Sequence, residues 1–238
     1  MNIDSIKHLL FTISLAVITA NNLVADDIDP VTISHGYSFF GDLKYPANFE
    51  HLDYVNAKAP KGGEISQWGF GTFDSFNAYA RKGNSAALSS APYETILTSF
   101  ADDITSSYCY LCTTLEYPES RNWAIFNLRN DVTFSDGSTL SAEDVKFTFE
   151  LFMEQGIPSY RAAVSGMVKS IEVIDRFIVK FIFSEDAPRR DVIDLAGGIP
   201  VFSKAWFERT GARLDESTLT PFIAVSYTHL TLPTSYAV

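Results

Sequence analysis

Three consecutive stretches decide the fold: Trp123-Ala124-Ile125-Phe126-Asn127-Leu128-Arg129, Val132-Thr133-Phe134-Ser135-Asp136-Gly137, and Ala142-Glu143-Asp144-Val145-Lys146-Phe147-Thr148-Phe149. The first, rich in apolar residues, reads as a short strand, Trp123 to Arg129. Val132 to Phe134 reads as another, followed by a tight turn at Asp136-Gly137. Ser141 with Asp144 three residues on is a helix-start signal. The helix runs to about Gln155, where Gly156 and Pro158 stop it. Val145, Phe149 and Phe152 recur at helical spacing and mark its buried face.

Downstream, Ile171 to Ile174 and Phe177 to Phe183 flank Asp175-Arg176 and read as a hairpin. Ala205 to Glu208 belongs to a short helix. Upstream, residues 26–60 are rich in turn formers and aromatics, an extended arm with short turns. Pro60-Lys61-Gly62-Gly63 breaks the chain, and Glu64 to Phe70 reads as a strand around Ile65 and Trp68. A loop with Gly69, Gly71 and Asp74 follows. Tyr93, Ile96, Leu97 and Phe100 then recur at helical spacing, which predicts a helix over Ser89 to Phe100. Strands and helices interleave irregularly, so the class is mixed α/β, or α+β.

The 238 residues suffice for one good core, or for a large and a small domain. A net charge of −11 repels phosphate backbones and argues against a nucleic-acid partner. Lys7, an apolar run from Leu9 to Ala20, and Ala25 before Asp26-Asp27 describe a secretory signal peptide over residues 1–25. That run is too short to span a bilayer comfortably.

Cys109 and Cys112 form a C-x-x-C pair. Such spacing serves redox exchange in a thioredoxin-like setting, or metal binding with two further ligands. Neither setting surrounds these two, so a local disulfide or a pair of buried thiols is the reading, with no metal and no cofactor. No nucleophile elbow, phosphate loop or dinucleotide fingerprint occurs. Asp102-Asp103 and Glu143-Asp144 read as solvated surface or helix N-terminal charge. A secreted hydrolase or thiol oxidoreductase using the cysteine pair stands as the competing class.

The opening stretches resemble the family 5 extracellular solute-binding proteins of ABC importers, whose pattern is W-x-F-x-L-R, V-x-F-x-D-G and A-x-D-V-x-F-S. Two residues separate Trp123 from Phe126 where that pattern has one, Asn127 stands at an open position, and Thr148 replaces the final Ser. Gly41-Asp42-Leu43-Lys44-Tyr45-Pro46, Ala59-Pro60-Lys61-Gly62-Gly63 and Phe70-Gly71-Thr72-Phe73-Asp74-Ser75-Phe76-Asn77 resemble its YejA-like subgroup. The similarity covers roughly residues 33 to 222.

The resemblance implies a periplasmic, non-catalytic, monomeric receptor of two lobes (type II). It would close on a peptide or small solute and deliver it to an inner-membrane ABC permease. Residues 26–76 would form the arm and the first strand of the large lobe. Residues 77–224 would form a small inserted domain and the start of the return. Phe70, Thr72, Phe73 and Asp74 follow that first strand and are the expected ligand-facing residues. Val225 to Thr234 resembles a sequencing adapter translated in one frame, which would make residues 225–238 foreign to the gene. A single lobe is expected to bind no peptide tightly.

Overall fold

Alternating burial along Trp123–Leu128 sets the main sheet. In the computed structural model this stretch is strand β6, with Ala124, Phe126 and Leu128 buried and the residues between them partly exposed. Strand β8 (Ile178–Phe183) repeats the pattern with Val179, Phe181 and Phe183. The two pair antiparallel, Phe126 opposite Val179 and Ala124 opposite Phe181. The Phe126 and Phe181 rings meet edge to face with centroids 5.8 Å apart. The structure describes residues 29–60, 62, 64, 66, 68–216, 222, 223 and 225.

Strands β1 (Val31–Ser34), β5 (Cys112–Pro118) and β7 (Val168–Asp175) complete a five-stranded sheet in the order β1-β5-β6-β8-β7. Every pairing in it is antiparallel. The expected hairpin at Asp175-Arg176 is the β7–β8 pair. A second sheet of β2 (Gly36–Ser38), β3 (Leu97–Phe100) and β4 (Asp103–Cys109) has the order β2-β4-β3. The arm's two strands lie in both sheets, β1 beside β5 and β2 beside β4.

Helix α1 (Ala142–Gln155) begins where the Ser141 and Asp144 signal predicts. The Ser141 amide donates to the Asp144 carboxylate at 2.9 Å, and the Ser141 hydroxyl donates to it at 2.6 Å. At the far end Gly156 donates its amide to the Phe152 carbonyl, and Pro158 opens α2 (Pro158–Val164). Val145 is buried with Thr148 and Leu151, while Phe149 and Phe152 are half-buried on the flanks of that face. Phe149 packs on the main core and Phe152 on a second cluster with Tyr93, Phe202, Trp206, Phe207 and Phe222. Each fully buried large side chain contributes about 1.5–3 kcal/mol.

Two short helices follow, α3 (Val192–Gly197) and α4 (Lys204–Thr210). A β-carbon at Gly197 would lie 2.4 Å from the Leu97 side chain, so the glycine lets α3 lie close on β3. The Ser203 hydroxyl caps α4 by accepting from the Trp206 amide at 3.3 Å. It starts the short helix expected around Ala205 to Glu208.

Three local expectations need correction. Ser89 to Phe100 is not a helix: turns lead into strand β3, paired antiparallel with β4. The four apolar residues named there are indeed buried, but partners distant in sequence bury them. Positions 68–70 of the expected Glu64 to Phe70 strand make no ladder among the described residues, and Ile65 lies outside these. A strand needs a neighbour for its backbone groups, and Trp68 and Phe70 are 84% and 92% exposed. Among the described residues Val132 to Phe134 makes only single bridges, Thr133 to Thr139 and Phe134 to Val225. The turn that follows holds, with Gly137 at φ +84, a conformation that side chains disfavour. Val225 is fully buried in the main core; residues 226–238 lie outside the described residues, as does 1–28.

Candidate functional site

The entry to β3 walls a cavity of about 550 Å³, lined by Ala91, Pro92, Tyr93, Glu94, Thr95, Thr98 and Tyr110. Its backbone is pinned from two sides. The Glu94 carbonyl accepts from the Val201 amide at 3.1 Å, and Thr95 bridges to Pro200. The Ile96 carbonyl accepts from the amides of Tyr110 and Leu111 at 2.9 and 3.2 Å. The Tyr93 hydroxyl is buried and donates to the Phe222 carbonyl at 3.2 Å. A mostly apolar wall with few fixed polar groups suits a small organic ligand.

Glu94 is the unusual member. It is 5% exposed, and neither carboxyl oxygen completes a hydrogen bond of good geometry. Burial pushes its pKa up to about 7. The Tyr110 hydroxyl and the Arg129 guanidinium favour the charged form, but burial outweighs them. Arg129 itself is held by Asp131, at 2.8 and 2.9 Å. A raised, under-satisfied carboxyl in a cavity wall is a recognised mark of a functional site.

The four residues expected from sequence lie elsewhere, on a loop that does not line this cavity. Phe70 and Phe73 are 92% and 55% exposed, and Thr72 and Asp74 are exposed too. Phe73 packs its ring on Phe76 at 5.1 Å, and Phe70 sits edge to face with Trp68 at 5.8 Å. Asp74 fixes the loop: its carboxylate accepts from the Asn84 amide at 2.6 Å, and its own amide donates to the Asn84 carbonyl at 3.0 Å. The buried Asn77 then accepts from the Phe222 amide at 2.7 Å. The loop is anchored behind and presents aromatic faces to water.

Glu94 and Tyr110 were missed from sequence. The available signal was an acid among the apolar positions Tyr93, Ile96, Leu97 and Phe100, hidden because a helix there would give it a polar face.

The remaining candidates have structural partners. Cys109 and Cys112 are joined by a disulfide between the end of β4 and the start of β5. No helix opens at Cys109, so the setting is not that of a thiol oxidoreductase. His35 meets the Tyr45 carbonyl at 2.8 Å, and His51 the Leu52 carbonyl at 3.2 Å, in the turns of the arm. Asp102 pairs with Lys44 and accepts from the Tyr45 hydroxyl, and Asp103 accepts from Tyr108. Among the described residues no cluster of His, Cys, Asp and Glu could hold a metal ion.

Comparison with known proteins places the sequence in a family. Residues 111–227 match the bacterial extracellular solute-binding proteins, family 5 Middle. The chain is 33% identical over 192 residues to the uncharacterized protein YejA of Escherichia coli K12, covering 80% of this chain and 31% of that one. It is 35% identical over 176 residues to the probable peptide-binding protein YejA of Agrobacterium fabrum, covering 74% and 28%. It is 31% identical over 211 residues to the peptidoglycan-binding protein YepA of the same organism, covering 85% and 33%. The chain thus spans about a third of the length of these curated relatives. A solved structure, the oligopeptide-binding protein AppA of Bacillus subtilis with a nonapeptide, aligns at TM-score 0.46 and 17% identity over 59% of this chain and 27% of that one. The chain belongs to the family 5 extracellular solute-binding proteins.

Proposed function

We propose that this chain is part of the substrate-binding component of an ABC importer, capturing oligopeptides and delivering them to a membrane permease without catalysis. The export reading of residues 1–25 makes the site of capture the periplasm, and the family resemblance makes the working form a monomer. The observation that carries the proposal is the cavity at the entry to β3, with Glu94 in its wall, in a chain of this family. Extended peptides are held chiefly through backbone hydrogen bonds, with side chains in roomy, hydrated pockets. Tyr93 and Tyr110 offer apolar faces for such side chains. Glu94 offers a carboxyl whose missing donor a ligand ammonium or amide would supply. Phe70, Thr72, Phe73 and Asp74 form a second contact surface, the two rings stacking on ligand and Asp74 holding the loop.

The relative named peptidoglycan-binding favours peptides carrying sugar as a variant of the same ligand class. The test is an NMR titration of the chain with a mixture of tri- and tetrapeptides, and separately with peptidoglycan fragments. Amide shifts at Tyr93, Glu94, Thr98 and Tyr110 at millimolar peptide support the proposal. Shifts with the fragments alone narrow the ligand. No shift at these residues with either refutes it.

A further inference from the structure

The turn that carries Tyr110 has an unusual support. β4 ends at Cys109 and β5 begins at Cys112, yet the two strands belong to different sheets and share no ladder. The hydrogen bonds that hold a hairpin turn are therefore missing here. In their place the disulfide closes a ring of four residues with Tyr110 and Leu111 inside it. The ring sits on one acceptor: the Tyr110 and Leu111 amides both donate to the Ile96 carbonyl, and the Cys112 sulfur lies 3.5 Å from it. Leu111 is fully buried, and its carbonyl accepts from the Arg129 amide at 2.9 Å. The ring thus fixes both Tyr110 and the backbone of Arg129, the two groups that act on Glu94.

We propose that the Cys109–Cys112 disulfide is a redox-sensitive brace that holds Tyr110 in the cavity wall beside Glu94. The oxidised chain carries the formed cavity; a dithiol reductant loosens it. One reductant thiolate attacks the sulfur of Cys109, the more exposed residue of the pair, and expels the Cys112 thiolate. The second reductant thiol then displaces Cys109. Two electrons and two protons pass to the cysteines, and the reductant leaves as its own disulfide. Tyr110 is a positioning and specificity residue in this account, and the cysteines act through it.

The inference rests on reading the cavity as the ligand site, so its test has two arms. Amide hydrogen exchange is followed in the full chain, oxidised, dithiothreitol-reduced and as the Cys109→Ser/Cys112→Ser variant. Opening a ring of this size shifts local opening about twenty-fold by loop entropy. Exchange at Tyr110 and Leu111 should quicken by more than that order in both altered forms, and by more than at Phe126 and Phe181, which lose only the factor that the released loop entropy takes from the whole fold. Unchanged exchange at the turn overturns the brace. An equal loss of protection at Tyr110, Leu111, Phe126 and Phe181 overturns it too, since the disulfide would then act only as a staple of the whole fold. The peptide mixture is titrated in parallel. Local loosening with no peptide response in any form leaves the brace standing and removes the ligand reading. A peptide response unaffected by reduction, with no loosening, does the reverse.

Discussion

Two carboxylic acids, Asp144 and Glu94, are buried to a similar degree, at 7% and 5% exposure, and the molecule treats them in opposite ways. Asp144 sits at the start of α1 among donors: the Ser141 amide and hydroxyl, and the Lys204 amide at 2.9 Å. Burial raises its pKa, and those hydrogen bonds oppose the rise. Glu94 feels a similar burial, and the Tyr110 hydroxyl and Arg129 offset it only in part. The first acid ties α1 to α4 and is structural. The second leaves polar capacity unspent in a cavity wall, which is where a ligand can be recognised.

The largest expected effect comes from breaking the satisfied site. Asp144→Ala orphans three donors and should cost about 2–4 kcal/mol, read as a lower urea midpoint. A loss below about 1 kcal/mol would mean water replaces the carboxylate easily and the contrast is false. Glu94→Gln should act in the other direction. The unfolded acid releases its proton near 4.5, the folded one near 7, so the folded chain holds the extra proton between these values. Stability therefore falls as pH rises through that window and stays low above it. The glutamine variant should be more stable than the native chain by about 1–3 kcal/mol at pH 8, and lose that advantage below pH 4.5. Equal pH profiles for the two proteins would remove the special status of Glu94.

Smaller changes sharpen the same contrast. Ser141→Ala removes one of the donors to Asp144 and should cost about 1 kcal/mol in the same urea assay. Lys44→Met breaks the exposed pairs with Asp53 and Asp102 and should shift the midpoint little, and less still in high salt. A large effect of Lys44 would show that surface charge, rather than buried donors, sets the hierarchy.

What was legible in the sequence follows the same physics. β6, α1 and the β7–β8 hairpin announce themselves because period, cap and turn lie within a few residues of each other. Ser141 and Asp144 could be read as a pair because their contact is local. β3 could not. Leu97 is buried by Cys109 opposite it and by Gly197 from α3, and nothing between residues 89 and 100 reveals these neighbours. The apolar spacing alone therefore suggested a helix. Glu94 was lost with it, because its environment is built by Tyr110 and Arg129 from elsewhere in the chain. Phe70 and Phe73 were legible as a loop beside Gly69 and Gly71, and their exposure is what a loop without strand neighbours produces. Their part in ligand contact remains part of the proposal.

The most direct test is the titration of the Glu94 side-chain carboxyl by carbon-13 NMR, in the free chain and with millimolar tri- and tetrapeptides. The account predicts a midpoint near 7 in the free chain and a fall toward the ordinary carboxylate range as peptide supplies the missing donor. A midpoint that stays near 7 with peptide present, or that already lies near 4.5 without it, would contradict the assignment of this cavity as the ligand site.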